Sequence, residues 1–285
     1  MRMTAGASSG QSPGQSAGQS AGQPRCALTI AGSDSSGGAG IQADLRTFAA
    51  LQVHGCSAIT AVTAQNTQGV RSVFALPPAL VAEQIDAVLD DMPVAVIKIG
   101  MLANAGIIEV VARELAKTAV PVVLDPVMIA KGGSALLEPD AVTALASLLL
   151  PRATLITPNL PEAERLVGFP VRTIDEQEQA AKALCAAGAH AALVKGGHSF
   201  GDPVDVLHVG HETFHLKATR QRTRNTHGTG CTLASAIAAR LARGRTLLQA
   251  VQDAHTYVQE AIRQAPDIGR GNGPIHQMHL WYRAG

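Results

Sequence analysis

Four short runs of the sequence combine glycines with side chains that can handle an anion, a metal ion or a proton. The first covers residues 31–40 and reads AGSDSSGGAG, with glycine at three of its last four positions. Such a run lets a ligand touch the backbone, but its spacing matches neither the Walker A loop nor the GxGxxG motif. It predicts a ligand-contacting loop between a strand and a helix. An ordinary turn between the two is the alternative.

The second run, NTHGTGCT at residues 225–232, precedes an alanine-rich helix. Free backbone N–H groups and the positive end of a helix dipole meet at such a start, which favours a phosphate site. A thiol in the first turn is expected to have a lowered pKa, so Cys231 could act as a base or a nucleophile. The alternative is a buried structural cysteine beside a glycine-rich helix start.

The third run is TPNLPE at residues 157–162, in which Asn159 and Glu162 lie three apart at a helix start. Oxygen ligands on one helix face suit Mg²⁺, which keeps waters and phosphates among its ligands. A capping box, with Asn159 as the cap and Glu162 closing it, is the alternative.

The fourth run is VKGGH at residues 194–198, where a strand is followed by a glycine turn. Lys195 could meet phosphate charge there, or it could be a solvated loop lysine. His198 and His227 are interpreted as polar loop residues rather than metal ligands, because no third ligand stands at a suitable spacing.

These runs need an alternation of strands and helices to position them. Strands are predicted at residues 27–31, 57–62, 94–99, 120–124, 154–156 and 191–194. Helices are predicted at residues 41–51, 78–91, 105–117, 140–150, 161–166, 174–187, 228–242 and 246–264. Strands that are continuously apolar and alternate with helices imply parallel crossovers, so we expect a layered α/β fold. Residues 204–208 and 213–216 predict a hairpin added late to the mostly parallel sheet.

Composition excludes several classes of protein. The chain has 285 residues, 46% hydrophobic and 16% charged, which is enough for a core, and we favour one domain over residues 25–285. Aromatic residues make up 3% and the net charge is +1, which argues against a nucleic-acid partner. The four cysteines are too far apart to predict disulfides or a zinc site. No apolar run reaches the roughly 18 residues of a membrane span, so we expect a cytoplasmic protein with no membrane partner.

The first 24 residues differ in kind, since they consist mostly of glycine, serine, glutamine and alanine. This composition predicts a disordered tail, and it lacks the apolar stretch of a signal peptide. A binding role for the tail is the alternative.

Seven ordered motifs resemble the ribokinase-type small-molecule kinases, and more narrowly the hydroxymethylpyrimidine/phosphomethylpyrimidine kinase family of thiamine biosynthesis. The resemblance covers Arg25 to about His276. Its motifs are AGSDSSGGAGIQADLRTF from residue 31, AITAVTAQNTQGV from 58, KIGML from 98, LDPVM from 124, ITPNLPEA from 156, VKGGH from 194 and NTHGTGCTLASA from 225.

The resemblance implies a ribokinase-like fold and a substrate pocket that reads a pyrimidine ring. By position, Gln65 pairs with a ring nitrogen and the amine, and Asp44 lies near the same pocket. The backbone and apolar groups around the ring correspond to Gly32, Met101 and Val127.

The resemblance also implies roles in phosphoryl transfer. Cys231 is the candidate base for the substrate hydroxyl, in a GTGC variant of the anion hole that includes Gly228 and Gly230. Asn159 and Glu162 organise Mg²⁺ around the nucleotide phosphates. The remaining nucleotide-side positions are Asp125, Lys195 and Thr226.

The activity implied is ATP- and Mg²⁺-dependent phosphorylation of 4-amino-5-hydroxymethyl-2-methylpyrimidine and then of its monophosphate, by a homodimer. A pyridoxal or pyridoxine kinase is the alternative among enzymes, because some members of both groups share the GTGC element. A non-catalytic pyrimidine-binding protein is the alternative from another class. A stand-alone thiamine phosphate synthase fits poorly, because that activity belongs to a different barrel.

Overall fold

Nine strands form a single sheet in the described part of the chain, which in this computed structural model comprises residues 25–129, 136–197 and 201–283. The predicted tail at residues 1–24 lies outside these ranges, as does His198. The strands are β1 (Cys26–Asp34), β2 (His54–Asn66), β3 (Gly69–Ala75), β4 (Val94–Ile99), β5 (Val122–Leu124), β6 (Leu155–Ile156), β7 (Ala191–Val194), β8 (Val204–Val209) and β9 (Glu212–Lys217).

Eight α-helices connect and cover these strands within the same described ranges. They are α1 (Gly40–Ala50), α2 (Pro78–Asp91), α3 (Ala105–Leu115), α4 (Pro139–Ala144), α5 (Leu160–Val167), α6 (Ile174–Ala186), α7 (Thr229–Ala242) and α8 (Leu247–Arg263). Helix α4 continues through a π-helical turn (Leu145–Leu149) and a 3-10 turn (Leu150–Arg152). Pro151 lies in that last turn, and its missing N–H and its ring oppose a further α-helical turn.

The sheet is mostly parallel, as predicted. Its order is β3-β2-β1-β4-β5-β6-β7-β8-β9, and the six strands from β2 to β7 in that order run parallel. The late hairpin is confirmed, because β8 and β9 add to β7 in antiparallel fashion. The sequence did not predict the second hairpin, in which β2 runs on to Asn66 and returns as β3. Polar residues are scattered through this hairpin, so its sequence lacks the regular apolar–polar alternation that predicts a half-exposed strand.

Helices cover both faces of the sheet and create two apolar cores. Helices α1, α7 and α8 pack together on one face, and α2 to α6 lie over the other. Helix α7 approaches the sheet closely because its inner face is alanine, with Ala234, Ala236, Ala238 and Ala239 fully buried. The layered α/β/α arrangement predicted from the alternation of elements is therefore confirmed. In the described part of the chain, no helix is long and apolar enough to cross a membrane.

The strand order reverses beside β1, and this reversal positions the site. From β1 the chain crosses by α1 to β2 on one side, whereas β4 and the later parallel strands add on the other side. Right-handed crossovers in opposite directions put α1 and α3 on opposite faces of the sheet. A crevice opens at the carboxyl ends of the strands at such a point, which is where α/β sheets bind ligands.

Candidate active site

A cavity of about 510 Å³ occupies this crevice. It brings together residues from all four chemistry-bearing runs, which the sequence separates by up to about 200 positions. Twelve of the thirteen predicted site residues line it: Gly32, Gln65, Met101, Asp125, Val127, Asn159, Glu162, Lys195, Thr226, Gly228, Gly230 and Cys231. The exception is Asp44.

Asp34 holds the glycine-rich loop between β1 and α1 in shape. Its carboxylate accepts hydrogen bonds from the backbone N–H groups of Ser36 (2.8 Å), Gly38 (3.1 Å) and Ala39 (2.8 Å), and it contacts His227 Nε2 at 2.8 Å. Burial acts to raise the pKa of Asp34, but these hydrogen bonds, that of His227 foremost, lower it to about 2. These hydrogen bonds fix the shape of the loop at the cavity wall.

Gln65 lines the cavity. Its backbone is fixed by Ser35, whose hydroxyl donates to the Gln65 carbonyl and accepts from the Gln65 N–H, both at 2.8 Å. Its Oε1 accepts from the Thr63 hydroxyl at 3.2 Å, and its Nε2 lies 3.4 Å from His227 Nε2. Because Asp34 requires the proton on that histidine nitrogen, Gln65 cannot donate to it, and its NH₂ group stays available for a ligand.

The start of α7 forms part of the cavity wall. Gly228 is the N-cap in a left-handed conformation (φ 81°), and a Cβ there would overlap the carbonyl oxygen of Gly38. A Cβ on Gly230 would lie 3.2 Å from Lys195 Nζ and 3.6 Å from Asp125 Oδ2. Glycine at both positions therefore keeps the first-turn N–H groups open toward the cavity, where an anion would accept from them.

Cys231 has a raised pKa, contrary to the expectation for a thiol at a helix start. Burial is the largest cause, and Asp44 and Asp125 add to it, while Lys98 and the Gly40 N–H oppose it; the pKa reaches about 11. The prediction of a lowered pKa was wrong because it counted the helix dipole and left out the burial of the thiol and the acidic residues that the fold brings near. The thiol is protonated at neutral pH.

Asp44 does not touch the cavity, so the prediction of a substrate contact is corrected. Its carboxylate is completely buried and accepts from Lys98 Nζ (2.9 Å), Thr29 Oγ1 (2.7 Å) and Ser235 Oγ (2.6 Å). Both of its oxygens accept from protein donors, and its complete burial keeps it out of reach of a substrate in the cavity. Lys98, its partner, lies at the cavity wall.

Lys195 and Asp125 form an ion pair beside the α7 N-terminus. Lys195 Nζ donates to Asp125 Oδ1 at 2.9 Å, and Thr157 donates to the same oxygen at 3.1 Å. Burial acts to lower the pKa of Lys195, but Asp125 and Glu162 raise it above its usual value. The lysine therefore stays charged. Because only 13% of its side chain is exposed, it is not the solvated loop lysine of the alternative interpretation.

Asn159 and Glu162 form a capping box as well as lining the cavity. Asn159 Oδ1 accepts from the Glu162 N–H at 2.9 Å, and a Glu162 carboxylate oxygen accepts from the Asn159 N–H at 2.8 Å. Burial raises the pKa of Glu162 to about 7, with Lys195 opposing the rise and Asp125 adding to it. The side-chain oxygen of Asn159 accepts the hydrogen bond that caps helix α5.

The donor set fits a magnesium ion that takes most of its ligands from water and phosphate. Among the described residues, no group of three or more His, Cys, Asp or Glu could hold a metal by itself. A carboxylate at Glu162, with a second at Asp125, is the oxygen-rich but incomplete set that such an ion uses. Asn159 Oδ1 fixes the helix start that carries Glu162.

Several residues of the cavity escaped the sequence analysis. His227 was interpreted as a polar loop residue, yet it is buried and contacts Asp34; its place inside NTHGTGC was the available signal. Asp34 stood inside the glycine run but was given no role. Arg165, one turn beyond Glu162 on α5, also lines the cavity and had no signal beyond helical spacing.

Comparison with known proteins gives a consistent result. The profile of the family described as phosphomethylpyrimidine kinase matches residues 34–276. A hydroxymethylpyrimidine/phosphomethylpyrimidine kinase of Rhizobium meliloti (strain 1021) is 50% identical over 262 residues, which is 90% of this chain and 98% of that protein.

Solved structures agree on the fold. A phosphomethylpyrimidine kinase of Clostridium difficile 630 is 42% identical with a TM-score of 0.75, over 83% of this chain and 99% of that one. The pyridoxal kinase of Bacillus subtilis in its ADP complex is 37% identical with a TM-score of 0.85, over 91% of this chain and 100% of that one. The ribokinase-like resemblance is confirmed.

Proposed function

The chain belongs to the phosphomethylpyrimidine kinase family, and from that premise we propose that it transfers the γ-phosphate of ATP to 4-amino-5-hydroxymethyl-2-methylpyrimidine and then to the resulting monophosphate. The predicted phosphotransferase class is confirmed by the family match. The second phosphorylation yields the diphosphate used to build thiamine.

One observation carries the proposal: a single cavity is lined both by a side-chain amide that can pair with a heterocycle and by the glycine-rich start of a helix that can bind an anion. Gln65 supplies the amide and the Gly228–Gly230 turn the helix start, with Cys231 in the same cavity wall. A kinase for a small heterocyclic alcohol needs this pairing, because phosphoryl transfer depends chiefly on positioning and charge neutralisation.

The acceptor is recognised by edge hydrogen bonds and apolar faces. The NH₂ group of Gln65 donates to a ring nitrogen, and its carbonyl oxygen accepts from the exocyclic amine. Met101 and Val127 contact the ring faces, and Gly32 allows the ring to approach the backbone. This mode of reading needs no aromatic platform, so an aromatic content of 3% is compatible with a heteroaromatic substrate.

The transferring phosphoryl group is held at the N-terminus of α7. First-turn N–H groups and the charged Lys195 neutralise its oxygens, and Thr226 contacts the nucleotide nearby. A magnesium ion bound with ATP would supply further neutralisation of the phosphate charge. Glu162 and Asp125 would hold that ion, and Asn159 fixes Glu162 through the capping box.

Cys231 accepts the proton of the substrate hydroxyl. Its pKa near 11 makes the thiolate a strong base that is sparsely populated at neutral pH. In a loose transition state the hydroxyl gives up its proton late, so a base beside the acceptor oxygen contributes without prior loss of that proton.

The test is a magnesium-dependent ATP consumption assay with the pyrimidine alcohol and its monophosphate supplied separately. We expect turnover with both acceptors and loss of turnover when magnesium is chelated. No ATP consumption with either acceptor would contradict the proposal. Substrate binding without turnover would instead favour the non-catalytic binding protein, against which the presence of Cys231, Asn159 and Glu162 argues.

Pyridoxal phosphorylation is a second candidate, favoured by the similarity to the Bacillus subtilis pyridoxal kinase, with its TM-score of 0.85. Pyridoxal is therefore added to the same panel of acceptors. We expect the highest kcat/KM with the pyrimidine alcohol or its phosphate. A higher value with pyridoxal would reverse the assignment.

We also propose one kinase domain over residues 25–285, acting as a homodimer in the cytoplasm. The family resemblance supports these assignments. Light scattering coupled to size-exclusion chromatography distinguishes a dimer of this 29.4 kDa chain from a monomer.

A further inference from the structure

A buried ion pair lies next to the cavity and takes no part in the mechanism described above. Asp44 of α1 and Lys98 of β4 are both completely buried, with Lys98 Nζ 2.9 Å from Asp44 Oδ2. A buried pair of this kind is expensive to desolvate and adds little stability over an apolar pair of the same size. Its presence therefore calls for a reason other than stability.

Helix geometry places Cys231 one turn from Ser235, which contacts this pair. Cys231 and Ser235 are four residues apart on α7 and share a face, and the Ser235 hydroxyl donates to Asp44. Gly40 and Asp44 are likewise four apart on α1, and the Gly40 N–H hydrogen-bonds to Cys231. Helices α1 and α7 thus make two contacts, Gly40 with Cys231 and Asp44 with Ser235. The two contacts are one helical turn apart, which is about 5 Å along the helix axis.

Lys98 reaches the same place from the sheet. Thr29 and Lys98 are register partners on β1 and β4, and both side chains donate to Asp44 Oδ2. The Lys98 ammonium has three N–H groups, of which Asp44 takes one, and Lys98 lines the cavity with Cys231. A Cβ on Gly100 would lie 2.8 Å from Lys98 Nζ, so the glycine of KIGML makes room for the ammonium group.

We propose that Asp44 and Lys98 form a buried pair of positioning residues that determines how readily the Cys231 thiol loses its proton. The lysine favours the thiolate and the aspartate opposes it, so the net effect depends on both members. The proposal rests on the proposed function for the role of Cys231, but the ionisation of the thiol is measurable without any substrate.

Four charged groups from separate elements act on the thiol. Lys98 comes from β4 and Asp44 from α1, while Asp125 follows β5 and Lys195 follows β7. Asp125 and Lys195 are paired with one another and are the groups proposed to face the nucleotide. The Asp44–Lys98 pair is therefore the part of this field that can be altered without removing a group proposed to face ATP.

The experiment measures the rate at which iodoacetamide alkylates Cys231 at pH 8.5 in the full chain, with each cysteine followed by peptide mass spectrometry. Well below its pKa, a thiol reacts in proportion to its thiolate fraction. We expect Lys98→Met to slow alkylation and Asp44→Asn to accelerate it. A pKa change of about one unit alters the rate roughly three- to fourfold, because a more basic thiolate is also more nucleophilic.

Opposite signs separate the proposal from a merely structural role. A variant that only loosens the fold increases reagent access, so both variants would then react faster; that result, or no change in either, would overturn the proposal. Cys185, packed against β8 through His208, is the internal reference and should keep its rate in both variants.

Ser235→Ala and Thr29→Val provide a second measurement if the charge variants do not fold. Each removes one donor to Asp44 without changing any charge, so the aspartate opposes the thiolate more strongly and alkylation slows. An unchanged or faster rate in both would also overturn the proposal. A chain that shows these shifts but phosphorylates no acceptor would disprove the proposed function while leaving the ionisation pair intact.

Discussion

Cys231 is subject to two opposing influences at the start of α7. The helix dipole and Lys98 favour its thiolate, whereas burial and the carboxylates of Asp44 and Asp125 favour the thiol, and the latter prevail. A thiol with so high a pKa can act as a base only in the small fraction of protein molecules in which it is ionised. Turnover is therefore expected to depend on pH well above neutrality.

The prediction for this residue is that kcat rises from pH 7 to pH 9. Below a pKa of about 11, each rise of one pH unit increases the thiolate fraction of Cys231 about tenfold. Cys231→Ser should lower kcat about 100-fold or more at pH 8, with KM changed little, and should abolish the rise. Steady-state kinetics across this pH range checks both. A serine variant with the kcat of the unmodified chain would remove Cys231 from the mechanism.

Gln65 should determine acceptor affinity. Gln65→Leu leaves the ring edge of the substrate unpaired, so kcat/KM for the pyrimidine alcohol is expected to fall about 10- to 100-fold. Gln68→Leu is the matched control, since Gln68 is exposed in the same hairpin and lies outside the cavity. Equal kinetics for the two variants would contradict the assignment of Gln65 as the reader of the ring.

At the scale of elements, the critical contact is that of the α7 N-terminus with the β1–α1 loop. The chain passes Gly228 so close to the Gly38 carbonyl that no side chain fits between them. The C-terminal segment reinforces the contact, because Gln277 Nε2 donates to the same Gly38 oxygen at 3.3 Å and the Gly273 carbonyl accepts from the His227 N–H. Both sides of the anion site therefore depend on this packing.

Gly228→Ala is expected to destabilise the fold by at least about 3 kcal/mol and to abolish phosphoryl transfer, since it combines backbone strain with a steric clash. Gly168→Ala is the control for strain alone: Gly168 has a φ of 79° at the end of α5, and a Cβ there meets nothing within 4 Å. It should cost about 1 kcal/mol and leave kcat unchanged. Urea unfolding and the kinase assay measure the two effects, and similar losses in both variants would disprove the steric account.

At the scale of the whole molecule, contacts between the two ends of the chain close the site. Asp34 and His227 are 193 residues apart in sequence and 2.8 Å apart in the structure. The order of the sheet makes this possible, because β1 lies inside the sheet beside β4 and α7 packs against β1, β4 and β5. The integrity of the cavity is therefore linked to global stability.

The pH dependence of stability should report this link. The pKa of Asp34 is about 2 in the folded chain and about 3.9 when unfolded, so the ionised carboxylate stabilises the fold by about 2.6 kcal/mol above about pH 5. This contribution is lost as pH falls toward 2. Asp34→Asn should thus be less stable than the unmodified chain at pH 7, with the difference shrinking as pH falls below about 5.

Urea unfolding at pH 7, 5, 4 and 3 measures that difference. Asp267→Asn is the control, because Asp267 pairs with Arg224 at the surface and should change stability little at any pH. A difference for Asp34→Asn that does not vary with pH would show that the loop is held by hydrogen bonding alone.

Local patterns determined much of this protein. The strand–helix alternation, the glycine loops and the spacing of Asn159 and Glu162 are short-range features, and apart from the β2–β3 hairpin and the end of α4 they are realised where the sequence predicts them. For Asn159 and Glu162 the sequence left two interpretations open, a capping box and a magnesium site. In the structure the two residues form the capping box and also line the cavity. A spacing of three residues at a helix start is compatible with both.

The tertiary structure alone decided the electrostatics. The high pKa of Cys231, the burial of Asp44 against Lys98 and the pairing of Asp34 with His227 all join residues that are distant in the sequence. Whether a charge is solvated, paired or opposed depends on which side chains the sheet order brings within a few ångströms. No local spacing encodes that, whereas the fold class and the loops that bear the chemistry follow from periodicity and turn residues.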